Sequence, residues 1–88
     1  MYQLSFLSSA KKEFKKLDKV AQKLIKKKLL LLCEDPTKLK NNLKPLKGKF
    51  EGKFRLRVNS YRIILQKKDN IFLIIVMAVG HRKEIYKS

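Results

Sequence analysis

Arg55, Arg57 and Arg62 stand within eight residues of one another, in the stretch RLRVNSYRIILQ. Elsewhere the chain carries its positive charge on lysine: 19 of its 23 basic residues are lysines, and the fourth arginine is Arg82. A lysine ammonium suffices for non-specific attraction to an anion. An arginine guanidinium adds a planar fork of donors that matches a phosphate in two places, stays charged and stacks on bases. The local switch to arginine therefore points to a phosphate held in one orientation. A second group lies near the C-terminus, in VGHRKEIYKS, where His81 is the sole histidine, Arg82 follows it and Tyr86 lies four residues beyond. Imidazole titrates near neutral pH and can move a proton. Arginine can stabilise an oxyanion or phosphorane, and tyrosine can donate a proton or stack on a base. Singly, each residue is as well explained as surface decoration; together, at the end of the strand that neighbours Arg62, they could line one site.

Geometry follows from alternation. Lys53 to Val58 and Tyr61 to Gln66 both read with a period of two, and Asn59-Ser60 between them is a credible two-residue hairpin turn. Residues whose numbers sum to 119 then stand opposite one another. Val58 faces Tyr61, Leu56 faces Ile63 and Phe54 faces Leu65, making one apolar side. On the other side Arg57 faces Arg62, and Arg55 lies across from Ile64. Like charges directly opposite cost a few tenths to ~1 kcal/mol. The pair is thus a poor choice for stability and a good anion receptor, expected on a solvated face. The bland reading is that one face of a small antiparallel sheet is solvated and carries charges by default. A third run, Ile71 to Val79, follows a loop expected at Lys67 to Asn70, which pairs Gln66 with Ile71. It puts Phe72, Ile74, Val76 and Ala78 on the core side and Leu73, Ile75, Met77 and Val79 beside the arginines.

Other elements must carry this hairpin. Tyr2 to Leu7 alternates as a first strand. Ser8 and Ser9 offer a cap for a short helix with Ala10, Phe14 and Leu17 inward, and Asp18 caps a second one that buries Val20, Ala21, Leu24, Ile25, Leu29 and Leu32. Pro36 ends it. Lysines cover the outer faces of this helical hairpin, among them Lys11, Lys12, Lys15 and Lys16. Thr37 to Gly52 reads as a basic loop that adds Lys49 and Lys53. The expected fold is α+β in two layers, an N-terminal strand and helical hairpin packed on a mainly antiparallel four-stranded sheet, with residues 1–88 forming a single domain.

Composition narrows the function classes. A net charge of +16 on 88 residues implies a polyanionic partner, whether nucleic acid, an acidic protein or an anionic membrane; if it is RNA, Lys11, Lys12, Lys15, Lys16, Lys49 and Lys53 are the candidate contacts. The longest apolar run, nine residues from Ile71, is about half of a spanning helix, and MYQLSFLSSA lacks the pattern of a secretory signal. Cys33 alone makes no internal disulfide, and one cysteine with one histidine gives no metal-ligand cluster. The chain reads as cytoplasmic, without membrane contact, metal or cofactor, and with Cys33 as an ordinary packed thiol.

FRLRVNSYRIILQ followed by IFLIIVMAVGHRKEIYKS resembles the RelE/ParE toxin superfamily, in its RelE-like branch. The shared pattern is arginine-x-arginine, a short turn, tyrosine-arginine, an apolar strand, glycine-histidine-arginine and a near-terminal tyrosine. KKLDKVAQKLIKKKLLLLCEDP is similar to the family's helical hairpin, so the likeness spans nearly the whole chain. The resemblance implies a RelE-like fold and a toxin of a type II toxin–antitoxin pair that cuts mRNA in the ribosomal A site and is silenced by a small antitoxin. It places Arg55 and Arg57 at the basic pair of the active-site strand, Arg62 at the phosphate-binding arginine, Arg82 at the tail arginine and Tyr86 at the terminal catalytic or stacking tyrosine. Arginines replace two lysines of the best-known member, and arginine hardly deprotonates. His81 is then the better proton carrier. A glutamate that some relatives use near Lys44 to Pro45 is missing, with Glu51 the nearest carboxylate. Three other readings fit: a ParE-like inhibitor of DNA gyrase, a non-catalytic RNA-binding module, and a toxin relative that has lost activity and survives as an antitoxin-binding remnant.

Overall fold

The computed structural model describes residues 1–48 and 52–81. β1 (Gln3–Phe6) leads into α1 (Ser8–Lys15) and α2 (Lys19–Glu34). A 3-10 turn (Pro36–Leu39) then leads to β2 (Leu43–Pro45), β3 (Phe54–Val58), β4 (Tyr61–Lys68), a second 3-10 turn (Asp69–Ile71) and β5 (Leu73–His81). Asp18 caps α2, its side chain accepting the Ala21 N–H at 2.8 Å. Gln22 donates to the carbonyl of Leu17 at 2.7 Å and so staples the turn between the helices. Ala21, Ile25, Leu29, Leu32 and Cys33 form the buried stripe of α2. Val20 does not join it and is 77% exposed, because it lies about 140° round the helix from Ile25. Ser8 and Ser9 do not cap α1 either: both lie inside the helix, and Leu7 occupies the capping position without a side-chain bond.

The sheet has five strands in the order β1-β5-β4-β3-β2. β1 runs parallel to β5, and the other three pairings are antiparallel. The additional strand is β2, which falls in the stretch expected to be loop. Three residues are too few to show a period, and Pro45 lacks the N–H that an inner strand needs, so β2 sits at the edge. The helices cover one face of the sheet. There Ile25, Leu29 and Leu32 pack with Leu56, Ile63, Leu65, Ile74 and Val76, all of them 0% exposed.

The hairpin turn and its register are as expected, with Arg57 opposite Arg62, Arg55 opposite Ile64 and Asn59 at φ 53°. The next connection differs. β4 runs on to Lys68, which pairs with Leu73, and Phe72 leaves the core to lie 57% exposed at φ 51°. Asp69 holds this turn, accepting from Lys67 at 2.8 Å and from the Tyr2 hydroxyl at 2.6 Å. The new register is displaced by an even number of residues, so Ile74 and Val76 still face inward. Beyond them it shifts again: Leu65 pairs with Val76 but Ile64 pairs with Ala78, leaving Met77 as the extra residue of a β-bulge. The bulge inverts the expected faces of the strand's end. Val79 joins the core at 4% exposure, while Ala78 and Gly80 stand beside Ile64 and Arg62.

Candidate functional site

Strand alternation sets three arginines on the sheet face away from the helices. Arg55 and Arg57 come from β3 and Arg62 from β4. Lys44 of β2 pairs with Arg55 and adds a fourth cation to that face. This lysine went unread as a site residue because the segment carries no periodic signal; its neighbour Pro45, pairing with Phe54, marks the edge. The backbone of Arg57 is fixed by its N–H donating to the Asn42 carbonyl at 2.9 Å.

The two opposed guanidiniums differ. Arg57 is exposed, whereas Arg62 is 8% exposed. The face is therefore not the open solvated surface expected from alternation, for Ile64, its neighbour on the same side, is only 3% exposed. Arg62 Nη1 donates to the carbonyls of Tyr61 at 3.1 Å and Asn59 at 3.3 Å. Hydrogen bonds from a charged donor are worth ~1.5–3 kcal/mol each, more than the ~1 kcal/mol that opposed like charges cost. The turn thus holds one cation rigidly while the other meets solvent. Arg55 is half-buried, and its Nε has no hydrogen-bond partner among the described residues.

β5 supplies small residues beside these cations. Gly80 stands opposite Arg62 and Ala78 opposite Ile64, so no bulky side chain of β5 projects between Arg62 and an incoming anion. His81 goes elsewhere. It pairs with Tyr61, whose ring packs against the core, and the two rings lie 4.7 Å apart at a tilt of 37°. By alternation His81 belongs to the helix side of the sheet, across from the arginines. Arg82 and Tyr86 lie outside the described residues, as do Lys49 and Glu51.

The expected RNA-contacting lysines Lys11, Lys12 and Lys15 of α1, and Lys16 at its C-cap, are all exposed, and Lys53, just before β3, is half-buried. Lys11, Lys15 and Lys26 rim a groove of about 370 Å³ floored by Leu4, Phe6 and Phe14. Burial pushes the Cys33 thiol up from its ordinary value, and Cys33 packs within the core. No described helix is long and apolar enough to cross a membrane.

The model of the family described as ParE toxin of the type II toxin–antitoxin system parDE matches residues 4–86. The chain belongs to the RelE/ParE toxin superfamily. It is 37% identical over 82 residues to an Escherichia coli chain named as a RelE-like toxin protein, covering 93% of this chain and 84% of that one. It is 33% identical over 89 residues to the mRNA interferase toxin RelE of Escherichia coli strain K12, covering 99% and 92%. Its fold superposes with a TM-score of 0.76 and 30% identity on the toxin-antitoxin complex RelBE of E. coli, covering 92% of this chain and 96% of that one. The α+β architecture, with a helical pair on a five-stranded mixed sheet, matches the RelE toxin structures.

Proposed function

We propose that this RelE/ParE-superfamily chain is the toxin of a type II toxin–antitoxin pair and a ribosome-dependent endoribonuclease that cleaves mRNA in the A site. The observation that carries the reading is the cationic face itself: Arg57 directly opposite Arg62, flanked by Arg55 and Lys44. The names of the RelE relatives support it. The cut is attack of a ribose 2′-oxygen on the adjacent phosphorus. The 2′-O–P bond forms, the P–O5′ bond breaks, and the products are a 2′,3′-cyclic phosphate and a free 5′-hydroxyl. The 2′-hydroxyl proton goes to a base, and O5′ takes one from an acid.

Arg62, anchored on its turn, presents a fixed charge to the non-bridging oxygens as negative charge grows on them. Arg57 closes on the same phosphate from solvent, and Arg55 and Lys44 draw in the neighbouring one. His81, Arg82 and Tyr86 are the proposed proton-handling and stacking groups. Since His81 lies on Tyr61, the RNA would cross the end of the sheet to reach both His81 and the arginines. Few groups here make good bases, so catalysis depends on the ribosome to orient the mRNA. The lysines of α1, with Lys49 and Lys53, dock on ribosomal RNA, and the silencing partner is a cognate antitoxin, as in the RelBE complex. Primer extension on an mRNA translated with purified protein tests the reading: cuts at A-site codons only when ribosomes are present support it, and uncut message overturns it.

A second reading is favoured by the family model, which is named for ParE: inhibition of DNA gyrase without cleavage. Loss of supercoiling by purified gyrase, with message intact, would select it.

A further inference from the structure

The carboxylate of Glu13 is spent on a backbone amide. Its Oε1 accepts the Val79 N–H at 2.9 Å, across 66 residues of sequence. Glu13 is the one acid of α1, set among the exposed Lys11, Lys12, Lys15 and Lys16. Strand geometry explains why that amide needs a partner. β1 accompanies β5 only from Leu73 to Val76, and the last bond between these segments runs from the Leu7 N–H to the Val76 carbonyl at 2.9 Å. At Ser8 the chain turns into α1, so no strand follows β5 further on that side. Val79 directs its N–H there because the extra residue Met77 inverts the alternation. In an unbulged strand the amides facing β1 would be those of even-numbered residues, Val79 would turn toward β4, and Glu13 would find no donor.

We infer that Glu13 is a positioning residue for the arginine site: its bond to Val79 selects the bulged register of β5. Without the bulge a one-residue slip would set Val79 opposite Arg62 and Met77 opposite Ile64. With it, Gly80 and Ala78 occupy those places and the ground beside Arg62 stays clear. The same bond ties α1, with its docking lysines, to the strand that borders the site. The register statement stands on geometry alone, while its consequence for cleavage rests on the function proposed above.

The test compares Glu13→Gln with Glu13→Ala. Both remove one negative charge, so the lysine face changes equally, but only glutamine keeps a carbonyl acceptor. In Glu13→Ala, exchange of the Val79 amide is expected to quicken by about tenfold, the order of one lost hydrogen bond, and the nuclear Overhauser contact between Ala78 and Ile64 is expected to weaken. Single-turnover cleavage of ribosome-bound mRNA falls to a similar degree at unchanged ribosome affinity. Glu13→Gln keeps both near wild type. Deleting Met77 removes the bulged residue while keeping Ala78 opposite Ile64 and Gly80 opposite Arg62, so in that background Glu13→Ala is expected to leave cleavage unchanged. The proposal is overturned if Glu13→Ala keeps Val79 protected and Ala78 against Ile64, or if Glu13→Ala lowers cleavage as much in the Met77-deleted chain as in the full-length one. Should wild type itself not cleave, the functional reading fails while the exchange and contact measurements still decide the register.

Discussion

At the scale of single residues, the opposed guanidiniums separate two properties that usually travel together. Arg57 is exposed, so replacing it by alanine removes a charge and little packing. Arg62 is buried and bonded to the carbonyls of its own turn, so the same change there also frees two carbonyls. Arg62→Ala is therefore expected to abolish translation arrest, by about a hundredfold or more, and to lower stability by about 1–3 kcal/mol while leaving the fold intact. Arg57→Ala should lose arrest with stability within about 0.5 kcal/mol of wild type. Arg62→Lys keeps the charge but not the planar fork, so it should fall between wild type and alanine in activity. Dose–response of cell-free translation, beside urea unfolding of each variant, reads both effects. An Arg62→Ala protein that arrests translation at the wild-type dose would remove that residue from the site. The pairing of these two residues was legible from alternation and the Asn59-Ser60 turn alone. The burial of Arg62 was not, because alternation assigns a residue to a face and says nothing of what lies over it.

At the scale of elements, the parts misread are those that tertiary contacts decide. The turn between β4 and β5 lies further along the chain than its polar residues suggest, because Asp69 is gripped by Tyr2 from the far end of the chain as well as by Lys67 two residues before it. The hydrogen bond from Lys67, then that from Tyr2, holds the Asp69 carboxyl below its ordinary value of 3.8. A depressed carboxylate contributes stability that is present above that value and lost as pH falls through its folded one. The Asp69 bond raises both Tyr2 and Lys67 above their ordinary 10.0 and 10.5. Their contributions are present below those values and fade as pH rises through the folded ones. The turn should thus be firm across neutral pH and loosen at both extremes. Amide exchange at residues 69–72 followed against pH would show this, and Asp69→Asn should flatten the acid limb. The bulge was equally hidden: Met77 has no glycine beside it, and an unbroken apolar run reads as one straight strand. Its benefit is nonetheless checkable. Ala78→Val restores bulk beside Ile64 and is expected to lower cleavage by about tenfold with unfolding stability changed by about 1 kcal/mol or less; equal losses in both would make Ala78 a packing residue only.

At the scale of the whole molecule, the chain carries a charge of +16 and its described residues span 31 × 30 × 26 Å. The Debye length at physiological ionic strength is about 8 Å, so opposite faces of the sheet are electrostatically separate. Lysines on α1 cannot assist the charge growing near Arg57 and Arg62, and the arginines add little to attraction at the helices. Binding and chemistry should therefore come apart under mutation. Each cation that neutralises an RNA phosphate contributes close to one unit of slope when the logarithm of affinity is plotted against that of salt. A Lys11→Ala, Lys12→Ala double variant is expected to bind ribosomes more weakly and to reduce that slope by about one to two units. Its first-order rate of cleavage for mRNA already bound should match wild type, because Glu13 still holds Val79 and the arginine face is untouched. Filter binding across a salt series, paired with single-turnover cleavage at saturating ribosomes, measures the two quantities independently. A loss in the bound-state rate would mean that α1 reaches the reacting phosphate, against the placement of its lysines on the far side of the sheet from Arg57.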